Sequence, residues 1–148
     1  EAAGDPERYP DAGTAWQPSK LYYTGFSRRR VEALHAAHLA RGDESPFERW
    51  FERGFPRNEH RFTTFVEIGP WLKRRRAALL AHRTQVDPKG FWMRLPDDVI
   101  REVFPWDEFV LARSLVGRPA DGDTEDDLFA GVRASDARDR VDTLPRRS

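Results

Sequence analysis

The spacing of apolar and polar residues predicts a series of short strands and helices. An aromatic and β-branched run from Lys20 to Thr24 is typical of a buried strand. Apolar residues then recur at three- and four-residue steps from Arg28 to Arg41, which predicts a helix with Ser27 at its N-cap. The inner face of this helix is predicted to contain Val31, Leu34, His35, His38 and Leu39. A strand that leads directly into a helix indicates an α/β fold.

The same patterns predict the other elements of a domain that covers residues 1–133. They are a helix from Phe47 to Arg53, a strand from Arg61 to Ile68, an extended segment from Phe91 to Met93, a helix from Asp97 to Phe104 and a strand from Glu108 to Val116. We expect the acidic run 121–127 to be exposed and the apolar segment 128–132 to dock on the domain. Residues 134–148 alternate charges without an apolar period, which predicts a disordered tail.

The stretch from Ile68 to Val86 is predicted to be a buried helix around which the chain is organised. Its apolar stripe consists of Ile68, Trp71, Leu72, Ala78, Leu79, His82 and Val86. Arg75 falls within this stripe, so its side chain is expected to follow the apolar surface out to water. The other basic residues of the run 73–76 are expected to face solvent. Residues 87–90 read Asp-Pro-Lys-Gly and end the helix.

Composition and charge narrow the classes of function. The 148-residue chain has 25 basic and 25 acidic residues, so its formal net charge is zero. A general role on nucleic acids or membrane surfaces would need a basic excess, so both are disfavoured. The chain has no cysteine, which excludes disulfides and thiolate metal sites, and no apolar run near the roughly 20 residues of a membrane span. It begins with Glu1 rather than Met, which predicts a fragment or a processed product.

Polar residues at the end of the 68–86 helix form the candidate site. His82 and Gln85, with Thr84 between them, can donate and accept hydrogen bonds to a polyhydroxy ligand. In the alternative interpretation, the side chains of His82 and Gln85 satisfy backbone carbonyls at the helix terminus. The residues by themselves leave both interpretations open.

Other clusters of polar residues have structural explanations. His35 and His38 could share a metal ion, but two ligands are too few for a catalytic zinc, so we interpret them as helix-face residues. The basic runs 28–30 and 73–76 are interpreted as solvated helix faces rather than nucleic-acid patches. Two aspartates at 97 and 98 would stabilise a helix start. His60, in a polar loop, is given no function.

Four segments together resemble one known family. They read KLYYTGFSRRRVEALH, TTFVEIGPWLKRRRAALLAHRTQVDP, DEFVLARSLVG and EDDLFAGVR. In order and spacing they are similar to the C-terminal half of mycothiol S-conjugate amidases, within the zinc-dependent LmbE/PIG-L-like de-N-acetylases. The resemblance implies that residues 1–133 are the C-terminal portion of a Rossmann-like α/β fold, with few strands and flanking helices.

The resemblance also implies a reaction. The substrate would be a small molecule, a mycothiol S-conjugate, in which an amide joins an S-substituted N-acetylcysteine to glucosaminyl-inositol. Hydrolysis would give a mercapturic acid and the pseudodisaccharide amine, a step of thiol-dependent detoxification. Zinc would polarise the carbonyl, and metal-bound water would attack it with an Asp as general base. The implied setting is the reducing cytoplasm of an actinobacterium.

The chain departs from the family pattern at the metal site. The family's zinc ligands lie in a His-Pro-Asp-Asp motif and a later His-Pro-Asp-His motif, and neither occurs here. The later motif would lie just before Glu1. No catalytic residue and no metal ligand is therefore assigned to this chain, and zinc is expected only in the full-length enzyme. The resemblance carries over His82 and Gln85 alone, as substrate-binding residues at the active-site rim, with Gln85 helping to close the pocket over the sugar.

Two alternative functions stay open. The chain could be a non-catalytic binding or assembly module derived from this family, or a fragment of a related N-acetylglucosaminyl deacetylase. The strand from Lys20 to Thr24 is typical of a parallel sheet that is buried on both faces. A fragment would expose an apolar edge there and tend to aggregate, whereas a stand-alone module would be a monomer that unfolds cooperatively.

Overall fold

The strands form one antiparallel sheet in the computed structural model, which describes residues 4–54 and 62–133. They are β1 (Lys20–Thr24), β2 (Thr64–Glu67) and β3 (Trp106–Ser114). The central strand, β3, pairs antiparallel with both neighbours, so that Tyr22 lies opposite Leu111 and Thr64 lies opposite Phe109. Small mixed α/β structure is therefore confirmed for this part of the chain.

Strand β1 lies at one edge of this sheet. Within the described residues it pairs with β3 alone, so the parallel sheet buried on both faces that the sequence predicted is not found there. Leu21 and Tyr23 are 49% and 62% exposed. The aromatic run that suggested a buried strand is thus half exposed in this structure.

Five α-helices accompany the sheet in the described residues. They are α1 (Arg28–Ala40), α2 (Glu48–Arg53), α3 (Leu72–Ala81), α4 (Phe91–Arg94) and α5 (Asp97–Val103), with 3-10 turns at Pro10–Ala12 and Gly69–Trp71. The predicted helix and its N-cap are both confirmed for α1, because Ser27 Oγ accepts a hydrogen bond from the Arg30 N–H at 3.0 Å. Among these helices, none is long and apolar enough to cross a bilayer.

The prediction of an extended segment at Phe91–Met93 is wrong, because these residues lie in α4. Gly90 precedes the helix with extended backbone, and its carbonyl accepts the Met93 N–H at 2.9 Å. Aromatic residues favour strands in general, but a single helical turn between Gly90 and Pro96 overrides that preference here. The predicted tail, residues 134–148, and His60 lie outside the described residues.

The hydrophobic core lies among the helices and is organised by α1. It is made of the buried residues Val31, Leu34, Ala37, Phe47 and Leu95, against which Phe26, Val99, Ile100 and Val103 pack. The prediction that the 68–86 helix is the buried centre is therefore wrong. Helix α3 covers only Leu72–Ala81 and buries only Leu72, and Trp71 is 53% exposed. Leu39, placed on the inner face of α1 by its spacing, is also exposed.

Polar contacts connect the sheet to the helices. The buried carboxylate of Glu108, on β3, accepts the backbone N–H of Ser27 at 3.0 Å. Its neighbour Asp107 pairs with Arg30 of α1 at 3.2 Å and with Arg75 of α3 at 2.9 Å. Two adjacent acidic residues on one strand therefore fix the position of both helices.

Glu125 fastens the 121–133 segment to the sheet. Its carboxylate lies 2.7 Å from Lys20 Nζ and accepts hydrogen bonds from the hydroxyls of Tyr22 at 2.9 Å and Thr64 at 3.2 Å. Burial is the largest single influence on the pKa of Lys20 and lowers it, but the hydrogen bonds and charges of Glu125 and Tyr22 together outweigh it, so the net pKa is raised and the ammonium stays charged. The acidic run predicted to be exposed thus contains one residue that joins β1 to β2.

Replacing Glu125 by Gln is expected to lower the free energy of unfolding by about 3 kcal/mol, because Lys20 would remain buried without its counter-charge. Urea unfolding followed by circular dichroism measures this. The control is Asp123→Asn, which removes the same charge from an exposed side chain. Equal losses in the two variants would show that the Glu125 contacts do not stabilise the fold.

Candidate functional site

The predicted substrate-binding residues lie where α3 ends. His82 is the C-cap, and its N–H donates to the Leu79 carbonyl at 3.0 Å. The His82 carbonyl in turn accepts the N–H groups of Gln85 and Val86, each at 2.9 Å. The chain then turns at Asp87, whose carbonyl accepts the Gly90 N–H at 2.9 Å. Hydrogen bonds between backbone groups thus define this exit segment, residues 82–90.

The side chains of His82 and Gln85 are both exposed. In the described part of the chain, neither makes a side-chain hydrogen bond, and the Leu79 carbonyl near the end of α3 accepts the backbone N–H of His82 instead. Their imidazole and amide groups are therefore free to meet a ligand. Their assignment to substrate binding stays a prediction.

Next to this segment, α1, α3 and α4 enclose a cavity of about 70 Å³ that is open to solvent on one side. This α1–α3 cavity is much smaller than the roughly 300–1,000 Å³ of typical ligand pockets, so it cannot enclose a pseudodisaccharide. Its walls are mainly apolar and include Leu34, Phe47, Leu79, Phe91, Trp92 and Met93. Arg30, His38, Arg75, Arg76 and Asp97 supply the polar part of the lining.

Arg76 is fully engaged in holding one wall of this cavity. Its guanidinium donates to Asp97 Oδ1 from Nε at 2.9 Å and from Nη2 at 2.7 Å. It also donates to the carbonyls of Met93 at 3.1 Å and Leu95 at 2.8 Å. These bonds tie α3 to the start of α5 across α4. The prediction that Arg76 faces solvent is therefore wrong, and Asp97 stabilises a tertiary contact besides the start of its helix.

Arg30 and Arg75 converge on a single oxygen, Asp107 Oδ1. Arg30 is 7% exposed, and its guanidinium lies over the rings of Phe26 and Phe104 at 4.6 and 5.7 Å. Burial lowers the pKa of Arg30, while the charge of Asp107 acts in the opposite direction. The prediction that the run 28–30 is solvated is wrong at this position. The only sequence signal for these contacts was the place of Arg75 within the apolar stripe.

The two histidines of α1 have different surroundings. His38 is 1% exposed and lies 6.5 Å from the ring of Phe47, whereas His35 is half buried and contacts the ring of Phe51 at 4.5 Å. Both Nδ1 atoms are buried without a hydrogen-bond partner. The interpretation as helix-face residues agrees with these contacts. In residues 4–54 and 62–133, no three His, Cys, Asp or Glu side chains are grouped so that they could hold a metal ion.

The chain matches curated proteins over most of its length. It is 49% identical over 138 residues to the mycothiol S-conjugate amidase of Streptomyces coelicolor, which covers 90% of this chain and 46% of that protein. It is 40% identical over 139 residues to the 1D-myo-inositol 2-acetamido-2-deoxy-alpha-D-glucopyranoside deacetylase of Rhodococcus opacus, which covers 89% of this chain and 45% of that protein. No family model and no solved structure matches it.

A deacetylase of the same name from Frankia alni is 34% identical over 134 residues, covering 88% of this chain and 46% of the relative. The chain thus spans about half the length of the curated relatives it matches. The resemblance to mycothiol S-conjugate amidases that the sequence indicated is confirmed by these matches.

His38 is expected to make the free energy of unfolding depend on pH. Burial lowers its pKa below the usual 6.5, as do the charges of Arg94, His35 and Arg41, although Asp43 acts in the opposite direction. The unfolded chain therefore binds a proton at higher pH than the folded chain, and the free energy of unfolding falls as the pH drops below about 6.5. Urea unfolding at pH 7.5 and 5.5 should show a smaller decrease in His38→Leu. An unchanged decrease in His38→Leu would contradict the assignment.

Proposed function

We propose that this chain is the C-terminal part of an amidase that hydrolyses mycothiol S-conjugates to a mercapturic acid and glucosaminyl-inositol. The observation that carries the proposal is the 49% identity to the Streptomyces coelicolor amidase over 90% of the chain. The deacetylases from Rhodococcus opacus and Frankia alni match the same length with lower identity, 40% and 34%. This difference favours amide hydrolysis on the cysteinyl conjugate over removal of a simple acetyl group.

The proposed reaction needs a zinc ion and a general base. The described residues do not form a zinc site, because no suitable group of three or more ligands comes together among them. The chain matches only 46% of the length of the amidase. We therefore assign the zinc ligands and the base to a part of the enzyme outside this chain. The residues of this chain would bind and orient the substrate.

The free edge of β1 supports a larger sheet. In the described residues the outer edge of β1 has no neighbouring strand, and Leu21 and Tyr23 beside it are largely exposed. Unpaired apolar edges are a liability that folded proteins usually cover. In the proposed amidase, a parallel strand of the Rossmann-like sheet would pair with this edge. The described residues alone leave this edge open, which disfavours a stand-alone binding module.

The exit segment supplies the proposed sugar contacts. The side chains of His82 and Gln85 are exposed on a backbone that its own hydrogen bonds define. Both can donate and accept hydrogen bonds, which suits the hydroxyls of glucosaminyl-inositol. In the proposed enzyme they lie at the rim of the pocket, and Gln85 helps to close it. The setting we propose is thiol-dependent detoxification in the cytoplasm.

The proposal is tested by adding back the missing part. The 148-residue chain is purified alone and co-expressed with the region of the Streptomyces coelicolor amidase that it does not match, and zinc content and amide hydrolysis are measured. The chain alone is expected to hold no stoichiometric zinc and to hydrolyse no mycothiol S-conjugate, whereas the complex does both. A complex that removes only acetyl groups from N-acetylglucosaminyl-inositol would favour the deacetylase alternative. Amidase activity of the chain alone would overturn the proposal.

Replacing Gln85 by Ala in the active complex is expected to raise KM for the conjugate about tenfold, because about one polar contact to the sugar is lost. Since the side chain is exposed, the free energy of unfolding should change by less than about 0.5 kcal/mol. Steady-state kinetics and urea unfolding measure the two effects. Gln17→Ala, at the chain's other glutamine, is the control and should leave KM unchanged. An unchanged KM in Gln85→Ala would remove Gln85 from the substrate site.

A further inference from the structure

Two buried nitrogen atoms beside the α1–α3 cavity have no hydrogen-bond partner among the residues that the structure describes. They are Arg30 Nε and His38 Nδ1, and both side chains belong to residues that are more than nine-tenths buried and line the cavity. Buried polar atoms in folded proteins are almost always hydrogen-bonded, so two exceptions at one cavity point to a partner that occupies it. The partner must offer at least one hydrogen-bond acceptor, since Arg30 Nε can only donate.

The charges around the cavity favour an anionic acceptor at one end. Three guanidinium groups line it, but only one carboxylate does, Asp97, and that carboxylate is engaged by Arg76. Arg30 and Arg75 share one oxygen of Asp107, and Arg75 is about one-third exposed. Within the described residues Asp107 is the one partner of Arg75, so most of its five N–H donors are open. Carboxylates and phosphates are the acceptors that guanidinium groups bind most strongly, and of the two a carboxylate is the smaller.

The rest of the cavity wall is apolar and aromatic. Leu79, Phe91 and Trp92 all line the cavity, and the rings of Phe91 and Trp92 lie 4.2 Å apart. Trp92 also stacks on Phe26 at 5.4 Å and is 44% exposed. The enclosed volume of about 70 Å³ admits only a small group, and the opening allows a larger apolar substituent to extend along these rings.

We propose that the α1–α3 cavity binds a small organic acid that carries an apolar substituent. Arg75 and Arg30 Nε hold the carboxylate, and the substituent packs against Leu79 and Trp92. The identity of the natural ligand rests on the proposed function. Of the two products of that reaction, the mercapturic acid has both a free carboxylate and an S-linked substituent. In the intact conjugate this carboxyl group is locked in an amide. The cavity therefore distinguishes product from substrate.

The test measures binding of S-benzyl-N-acetylcysteine to the 148-residue chain. Met93 lines the cavity and is the chain's one methionine, so its ¹³C-labelled methyl group is a single NMR reporter, assigned with Met93→Leu. Saturable shifts of this signal are expected. The amide of the same compound, which lacks the carboxylate, and S-methyl-N-acetylcysteine, which lacks the aromatic group, should each bind at least about tenfold more weakly.

Paired variants locate the ligand. Arg75→Gln and Leu79→Trp are expected to weaken binding at least about tenfold by removing the donor and filling the cavity. Lys73→Gln and Leu80→Trp, on the same helix but outside the lining, are the matched controls and should bind as the original chain does. If circular dichroism shows that Leu79→Trp does not fold, the comparison of ligand binding by Arg75→Gln and by Lys73→Gln decides whether the ligand occupies the cavity.

Binding that survives Arg75→Gln, or no shift of the Met93 signal at millimolar acid in a folded chain, would overturn the inference. Since binding is measured without zinc and without amide hydrolysis, its outcome is independent of the test of the amidase. Acid binding by a chain whose complex has no amidase activity would support the cavity and reject the proposed function. Amidase activity of the complex without acid binding by the chain would reject the proposed role of the cavity and leave the proposed function standing.

Discussion

The contact of Asp107 with two arginines is the interaction on which the arrangement of sheet and helices depends. Most of the apolar core lies among the helices, and the sheet contributes few buried apolar side chains, such as Leu111. What joins the two is largely polar: Asp107 to Arg30 and Arg75, and Glu108 to the backbone of Ser27. Loss of one partner from such a buried group leaves the others uncompensated, so these contacts fix geometry more than they add stability.

This polar connection also explains why one face of β1 is left uncovered. A sheet held by apolar packing would bury alternate residues along each strand against the helices. Here Leu21 and Tyr23, which alternate with Lys20 and Tyr22, remain exposed, while Lys20 and Tyr22 are used by Glu125. The side chains that bond Glu125 are thus the covered ones, and the apolar ones are the exposed ones.

Local sequence signals were sufficient for several elements and insufficient for the site. The capping of α1 by Ser27 and the acidic first turn of α5 depend on residues within one helical turn, so spacing alone predicts them. Arg76 and Asp97 are 21 residues apart, and Glu125 is 105 residues from Lys20. Nothing in the spacing of charges reveals such pairs, so a basic run that looked solvated turned out to contain tertiary contacts. The spacing also placed His82 in the apolar stripe of a helix that continues to Val86, whereas α3 ends at Ala81 and leaves the side chain of His82 exposed.

Helix α3 links the two parts of the molecule that matter for ligands. Leu72, Arg75, Arg76 and Leu79 recur at steps of three and four residues and line the α1–α3 cavity. One further step reaches His82, which caps the helix and starts the exit segment. Because Arg75 is held by β3 and Arg76 by the start of α5, α3 can neither slide nor rotate without breaking one of these contacts. The arginines that line the cavity therefore also set where His82 and Gln85 stand. The rim of the proposed pocket is positioned from inside the domain, although its side chains are exposed.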